Sequence, residues 1–125
     1  MDTRTYIETN NLMQYLAPLT TAELEEYQRV SADPDYGVRG EFPLPPDVED
    51  LVFLHRKIKE RKCFTVLEFG VGHSTLIMAD ALLQNKREFN VLSEEQKPKI
   101  RCNNPFELHA VDASVKWIER CKAMT

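Results

Sequence analysis

Val66-Leu67-Glu68-Phe69-Gly70-Val71-Gly72-His73-Ser74-Thr75-Leu76 is the stretch from which the rest of the chain is read. A short apolar run, Phe64 to Leu67, ends in an acid. Two glycines follow at alternate positions, and a hydroxyl pair then opens an apolar stretch. The pattern predicts a strand, a tight turn and a helix N-terminus in close succession. Such a turn lets bare backbone approach a ligand, and the helix end presents unpaired N–H groups to it. The carboxylate closing the strand adds a fixed negative charge, which suits a small molecule carrying an amino group and a nucleoside.

Working outward, Cys63 to Phe69 is expected to be the first strand and Ser74 to Leu83 the helix after the turn. That helix is apolar nearly all round, with Asp80 its only charge, so it should be well buried. Asn85 to Pro105 is polar and charged and reads as an insertion, with a short helix around Ser93 to Lys97. Glu107-Leu108-His109-Ala110-Val111-Asp112 is a second strand that again ends in an acid. Ala113 to Met124 is a last helix, capped by Asp112 or Ser114, with Val115, Ile118 and Cys121 on one face.

On the other side of the turn the chain is helical. Thr5 to Leu16 is a weakly amphipathic candidate that stops near Pro18. Thr20 and Glu23 form a capping-box pattern that starts a helix from Thr21 to Val30. Ala32 to Pro46 holds four prolines and two glycines and is expected to be an extended loop. Asp47 caps a helix from Val48 to Arg61, with Val48, Leu51, Val52, His55 and Ile58 on one stripe. Residues 1–62 are thus expected to form a helical segment with a Pro-rich loop at 32–46. Residues 63–125 should form the first β-α-β-α portion of an α/β domain with an insertion at 85–105. Alternation of this kind implies a parallel sheet, and ligands bind such sheets at the carboxyl ends of the strands. Glu68, the glycine turn and Asp112 would meet there.

The 125 residues suffice for one ordinary domain. A net charge of −4 points away from nucleic acid and anionic membranes. The basic cluster Arg56, Lys57, Lys59, Arg61 and Lys62 is better read as cations complementing a helix C-terminus. No apolar run has the length of a membrane span, and the N-terminus lacks the apolar core of a signal peptide. Three cysteines at irregular spacings, Cys63, Cys102 and Cys121, read as free thiols in a reducing cytoplasm, and they lack the paired spacing of a metal site.

The Glu68-x-Gly70-x-Gly72 turn with Asp112 closing the next strand resembles the class I S-adenosylmethionine-dependent methyltransferases, over about Phe64 to Cys121. The wording around the turn looks especially like members that read LEFGxGxST. The resemblance implies a Rossmann-like sheet, with S-adenosyl-L-methionine as cofactor and transfer of a methyl group to an acceptor that the sequence does not name. It implies that Glu68 helps to orient the methionine amino end and that Gly70 and Gly72 admit the cofactor to the backbone. Val71 and Ser74 would line the same pocket, and His73 either lines it or is an exposed turn residue. Asp112 would accept hydrogen bonds from the ribose hydroxyls, with Ala113 beside it. No catalytic residue and no metal ligand is assigned.

Two features depart from the family pattern. Asp112 follows Glu68 by 44 positions, whereas fingerprint units place the second acid about 20 residues after the turn. Only two strands are visible, so a missing C-terminal half or a second chain is expected to complete the sheet.

Other readings remain. A dinucleotide-binding unit would need a third glycine, where this chain has Thr75. A hydrolase elbow would make Ser74 the nucleophile, but Leu76 replaces its last glycine and the only downstream histidine, His109, lies in a strand. Helix capping accounts for Ser74 and Thr75 more simply. Trp117 is a candidate to stack on an adenine or to pack on a neighbouring helix. A non-catalytic cofactor-binding or interaction module would use the helical N-terminus as its docking surface. Arg39 and Glu41 would be the polar residues of a closing loop.

Overall fold

A computed structural model describes residues 2–16 and 47–123. Within them the elements are α1 (Thr3–Thr9), a 3-10 turn (Leu12–Tyr15), α2 (Val48–Glu60), β1 (Thr65–Phe69), α3 (His73–Asn90), β2 (Glu107–Val111) and α4 (Val115–Ala123). The fold of the described residues is mixed α/β. Among them, β1 and β2 form a two-stranded parallel sheet, with Glu68 opposite Ala110 and Phe69 opposite Val111. The expected helix at 21–30 and loop at 32–46 lie outside the described residues. No described helix is long and apolar enough to cross a membrane.

Helix α2 follows the sequence pattern closely. The Asp47 carboxylate accepts the Asp50 N–H at 3.2 Å, and Leu51, Val52, His55 and Ile58 are buried. The helix ends in a Schellman turn, in which the Cys63 N–H donates to the Ile58 carbonyl and the Lys62 N–H to that of Lys59. Lys62 takes the left-handed position of that turn, φ 50°, where glycine is usual. Lys62→Gly is therefore expected to stabilise the chain by roughly 1 kcal/mol, seen as a higher urea midpoint at unchanged slope.

Four expectations are corrected. The first helix does not run from Thr5 to Leu16. It starts at Thr3, capped by Asp2, and breaks at Asn10 and Asn11. The Asn10 side chain bonds back to the Tyr6 carbonyl, and Asn11 sits in the left-handed region at φ 53°, which asparagine tolerates. The break turns Leu12 and Leu16 into the core.

Helix α3 runs on to Asn90 instead of stopping at Leu83. The polar stretch from Gln84 is the solvent side of the same helix, while Asn85 stays buried and Phe89 packs on Phe106. The first part of the supposed insertion is thus helix. Around Ser93 to Lys97 there is only a turn. Ser93 and Gln96 cap each other, and Pro98 follows without an N–H to continue a helix. The last helix starts later than expected, at Val115, with Ser114 as its cap, and Val115 is exposed.

Helix α3 covers one face of the sheet and packs along α2. Ile58, Met78, Ala81 and Leu82 form one apolar cluster, joined by Val66 and Leu108 from the strands. Ile7, Leu12, Leu16, Leu51, Val52 and Ile77 form a second, so the N-terminal turns are part of the same core. The period-two alternation of the strands sends Leu67, Phe69 and Val111 to the opposite face, where they are exposed.

Candidate functional site

Helix α3 begins immediately after the glycine turn, so the carboxyl end of β1, the turn and a helix N-terminus share one corner. Gly70 has φ +97°, a conformation that L side chains rarely adopt, and its N–H donates to the Val111 carbonyl at 2.7 Å. The turn is thereby stitched to the end of β2. Gly72 is different. Its φ of 173° is extended backbone open to any residue, and a Cβ there would meet nothing within 4 Å. Among the described residues, neither backbone conformation nor packing requires a glycine at that position.

Both acids sit where the sequence put them. Glu68 is on the half-buried face of β1, and its carboxylate accepts hydrogen bonds from the Ser74 and Thr75 hydroxyls. Asp112 follows β2 directly. Its Oδ2 accepts the Val71 N–H at 3.1 Å and its Oδ1 the Ser114 N–H at 2.8 Å. Among the described residues these partners are neutral and neither acid forms an ion pair. The corner therefore holds two carboxylates on adjacent strand ends, neither in an ion pair among the described residues. Ala113 is exposed beside Asp112.

Ser74 does not cap the helix, as expected for it, because its hydroxyl goes to Glu68. Thr75 does cap, accepting the Gly72 N–H at 3.0 Å while donating to Glu68. His109 lies on the sheet face away from α3, exposed and 3.3 Å from Glu107, so it does not join Ser74. Among the described residues, no cluster of His, Cys, Asp and Glu has the make-up of a metal site. The basic residues of α2 are partly committed: Lys57 pairs with Glu60, Lys59 with Glu88, and Arg56 lies over the Tyr6 ring.

His73 is anchored from a direction the sequence did not indicate. Its Nδ1–H donates to the Tyr15 carbonyl at 3.1 Å, which leaves Nε2 as the acceptor nitrogen of the neutral ring. The N-terminal segment thus touches the glycine turn itself. Tyr15 belongs to a further network missed in the sequence. His55, fully buried, bonds the Tyr6 hydroxyl through Nδ1 at 2.7 Å and the Asp80 carboxylate through Nε2 at 2.8 Å. Gln84 and Tyr15 also donate to Asp80. Burial pushes the Asp80 carboxyl up, but the hydrogen bonds from His55, Gln84 and Tyr15 outweigh it and hold the group below its ordinary 3.8. The only sequence signal was a lone charge, Asp80, on an apolar helix and a histidine on the apolar stripe of α2.

No protein-family model, no curated protein and no solved structure matches this chain.

Proposed function

We propose that this chain carries the cofactor-binding corner of a class I S-adenosylmethionine-dependent methyltransferase, built on the first strands of a Rossmann-like sheet. The observation that carries the reading is the glycine at position 72. With its backbone in an ordinary conformation and no described atom where a Cβ would stand, close approach of a ligand accounts for a bare backbone there. The donor set fits that cofactor. Each Asp112 oxygen accepts one bond from the protein and keeps a lone pair for a ribose hydroxyl. Two carboxylates that form no ion pair among the described residues favour a positively charged ligand and disfavour a pyrophosphate, which weighs against a dinucleotide.

The cofactor supplies an activated methyl group. The part left to these residues is to hold and orient it, with Glu68 at the amino end, Asp112 at the ribose, and Val71, Gly72, His73, Ser74 and Ala113 along the wall. The acceptor and any catalytic base belong to parts of the site that these residues do not form. Completion of the sheet by further strands, from the same chain or a second copy, is part of the reading. The exposed face of Leu67, Phe69 and Val111 supports it. A cytoplasmic location accords with Cys63, Cys102 and Cys121, which form no disulfide.

Isothermal titration with S-adenosylmethionine and with NAD tests this function. Binding of the first and none of the second is expected, and the reverse would overturn the proposal. Gly72→Ala is expected to leave the thermal midpoint unchanged and to weaken the methionine cofactor by at least about tenfold, because the added methyl lies in the ligand's space and not the protein's. A folded Gly72→Ala chain that binds normally would remove the central support.

A further inference from the structure

The end of the sheet opposite the glycine turn holds a second feature, which stands independently of the methyltransferase reading. A cavity of about 480 Å³ lies where the C-terminal half of α3 meets the residues that lead into β1 and β2. Its volume is within the range of small-molecule sites. Phe64, Phe89, Leu92 and Phe106 give it an apolar wall. The Phe106 ring stands edge-on to Phe64, with centroids 6.2 Å apart, and tilted against Phe89 at 5.4 Å. Phe106 does this with φ 68°, a conformation uncommon for a bulky side chain. Its N–H is held by the Phe64 carbonyl. Strain of this kind persists where the surroundings enforce it, and it clusters at ligand sites.

Four polar side chains line the cavity as well: Glu88, whose carboxylate pairs with Lys59, Gln96, which accepts the Ser93 N–H, Asn85 and Lys62. Asn85 lines it and is 4% exposed. The Asn85 Nδ2 donates to the Ile58 and Cys63 carbonyls, both at 3.0 Å, so the orientation of the amide is settled. Its Oδ1 is then a buried acceptor without a hydrogen-bond partner among the described residues, a rare condition that a ligand donor would relieve once the side chains closing over it part to admit the ligand. Lys62 lines the cavity as well and is exposed. Among the described residues its ammonium has no ion pair.

We propose that this cavity binds a small aromatic monocarboxylate bearing a hydroxyl. The ring packs among the phenylalanines, the hydroxyl donates to Asn85 Oδ1, and the carboxylate pairs with Lys62. Nuclear magnetic resonance of the full chain titrated with 4-hydroxyphenylacetate tests it. Saturable shifts are expected at the Asn85 side-chain amide and at Leu92, Gln96 and Phe106, with Kd on the order of a millimolar or tighter. Phenylacetate, which lacks the hydroxyl, should bind about fivefold more weakly. Lys62→Met should cost the acid about threefold to fivefold while leaving binding of neutral 4-methylphenol unchanged.

Leu92→Trp, at a partly exposed position that tolerates bulk, should fill the cavity and abolish the shifts with the chain still folded by circular dichroism. Shifts that do not saturate, or that fall only on Leu67, Phe69 and Val111, would overturn the proposal. So would equal affinity for phenylacetate, an unaffected Lys62→Met chain, or undiminished binding by folded Leu92→Trp.

Discussion

Asp80→Ala is expected to destabilise the chain by about 3 kcal/mol, the cost of leaving buried partners of a carboxylate unsatisfied. Three donors converge on Asp80: His55 at 2.8 Å, Gln84 at 2.7 Å and Tyr15 at 3.4 Å. Of these, His55 is fully buried and has no water to turn to when its acceptor is removed. Urea unfolding followed by circular dichroism reads the loss directly. Tyr6→Phe removes one hydroxyl from the far end of the same network and should cost about 1 kcal/mol. The pair is in one network, so the double variant should lose less than the sum.

The network also sets an acid limit. Folding holds the Asp80 carboxyl below its ordinary 3.8, so the folded state favours its ionised form. The resulting stability is fully present above that value and is lost as the pH falls through the lower, folded one. Asp80→Asn should therefore flatten the fall of stability with acid below about pH 4. A parent and variant with identical acid slopes would show that Asp80 contributes nothing to it.

Asp112→Ala is expected to weaken S-adenosylmethionine by roughly a hundredfold, equivalent to two hydrogen bonds to a charged acceptor at about 1.5 kcal/mol each. The side chain does two jobs at once. It pins the Val71 and Ser114 amides, which fixes the turn against the start of α4, and its remaining lone pairs face the ribose in the proposed reading. Asp112→Asn keeps one acceptor oxygen and should fall between, at about tenfold. Isothermal titration on chains with parent-like circular dichroism separates binding from folding. Parent-like affinity in the alanine variant would place the ribose elsewhere.

Much of the corner is legible in the sequence. Glu68 and Asp112 each close a short run that reads as a strand, so both acids lie toward carboxyl ends. The glycine turn marked the junction. The hydroxyl pair was read as capping because Ser and Thr before an apolar helix usually cap it. Only Thr75 does so, since the Glu68 carboxylate stands close enough to take both hydroxyls. The extent of α3 is hidden in the sequence because a polar stretch reads as loop, whereas in the fold Asn85 and Phe89 continue the buried stripe of Leu82.

What the sequence determined by itself is local: the periodicities that make strand and helix, the caps at Asp47 and Ser114, and the turn whose Gly70 takes a left-handed conformation. These depend on neighbours a few residues apart, and such neighbours are written next to one another. What only the tertiary structure decided is the pairing of polar groups across the fold. Tyr6 meets His55, His55 meets Asp80, and Tyr15 meets His73, from segments that sequence places far apart. A buried polar side chain demands a partner, but its identity follows from how α1, α2 and α3 pack, and no local pattern records that.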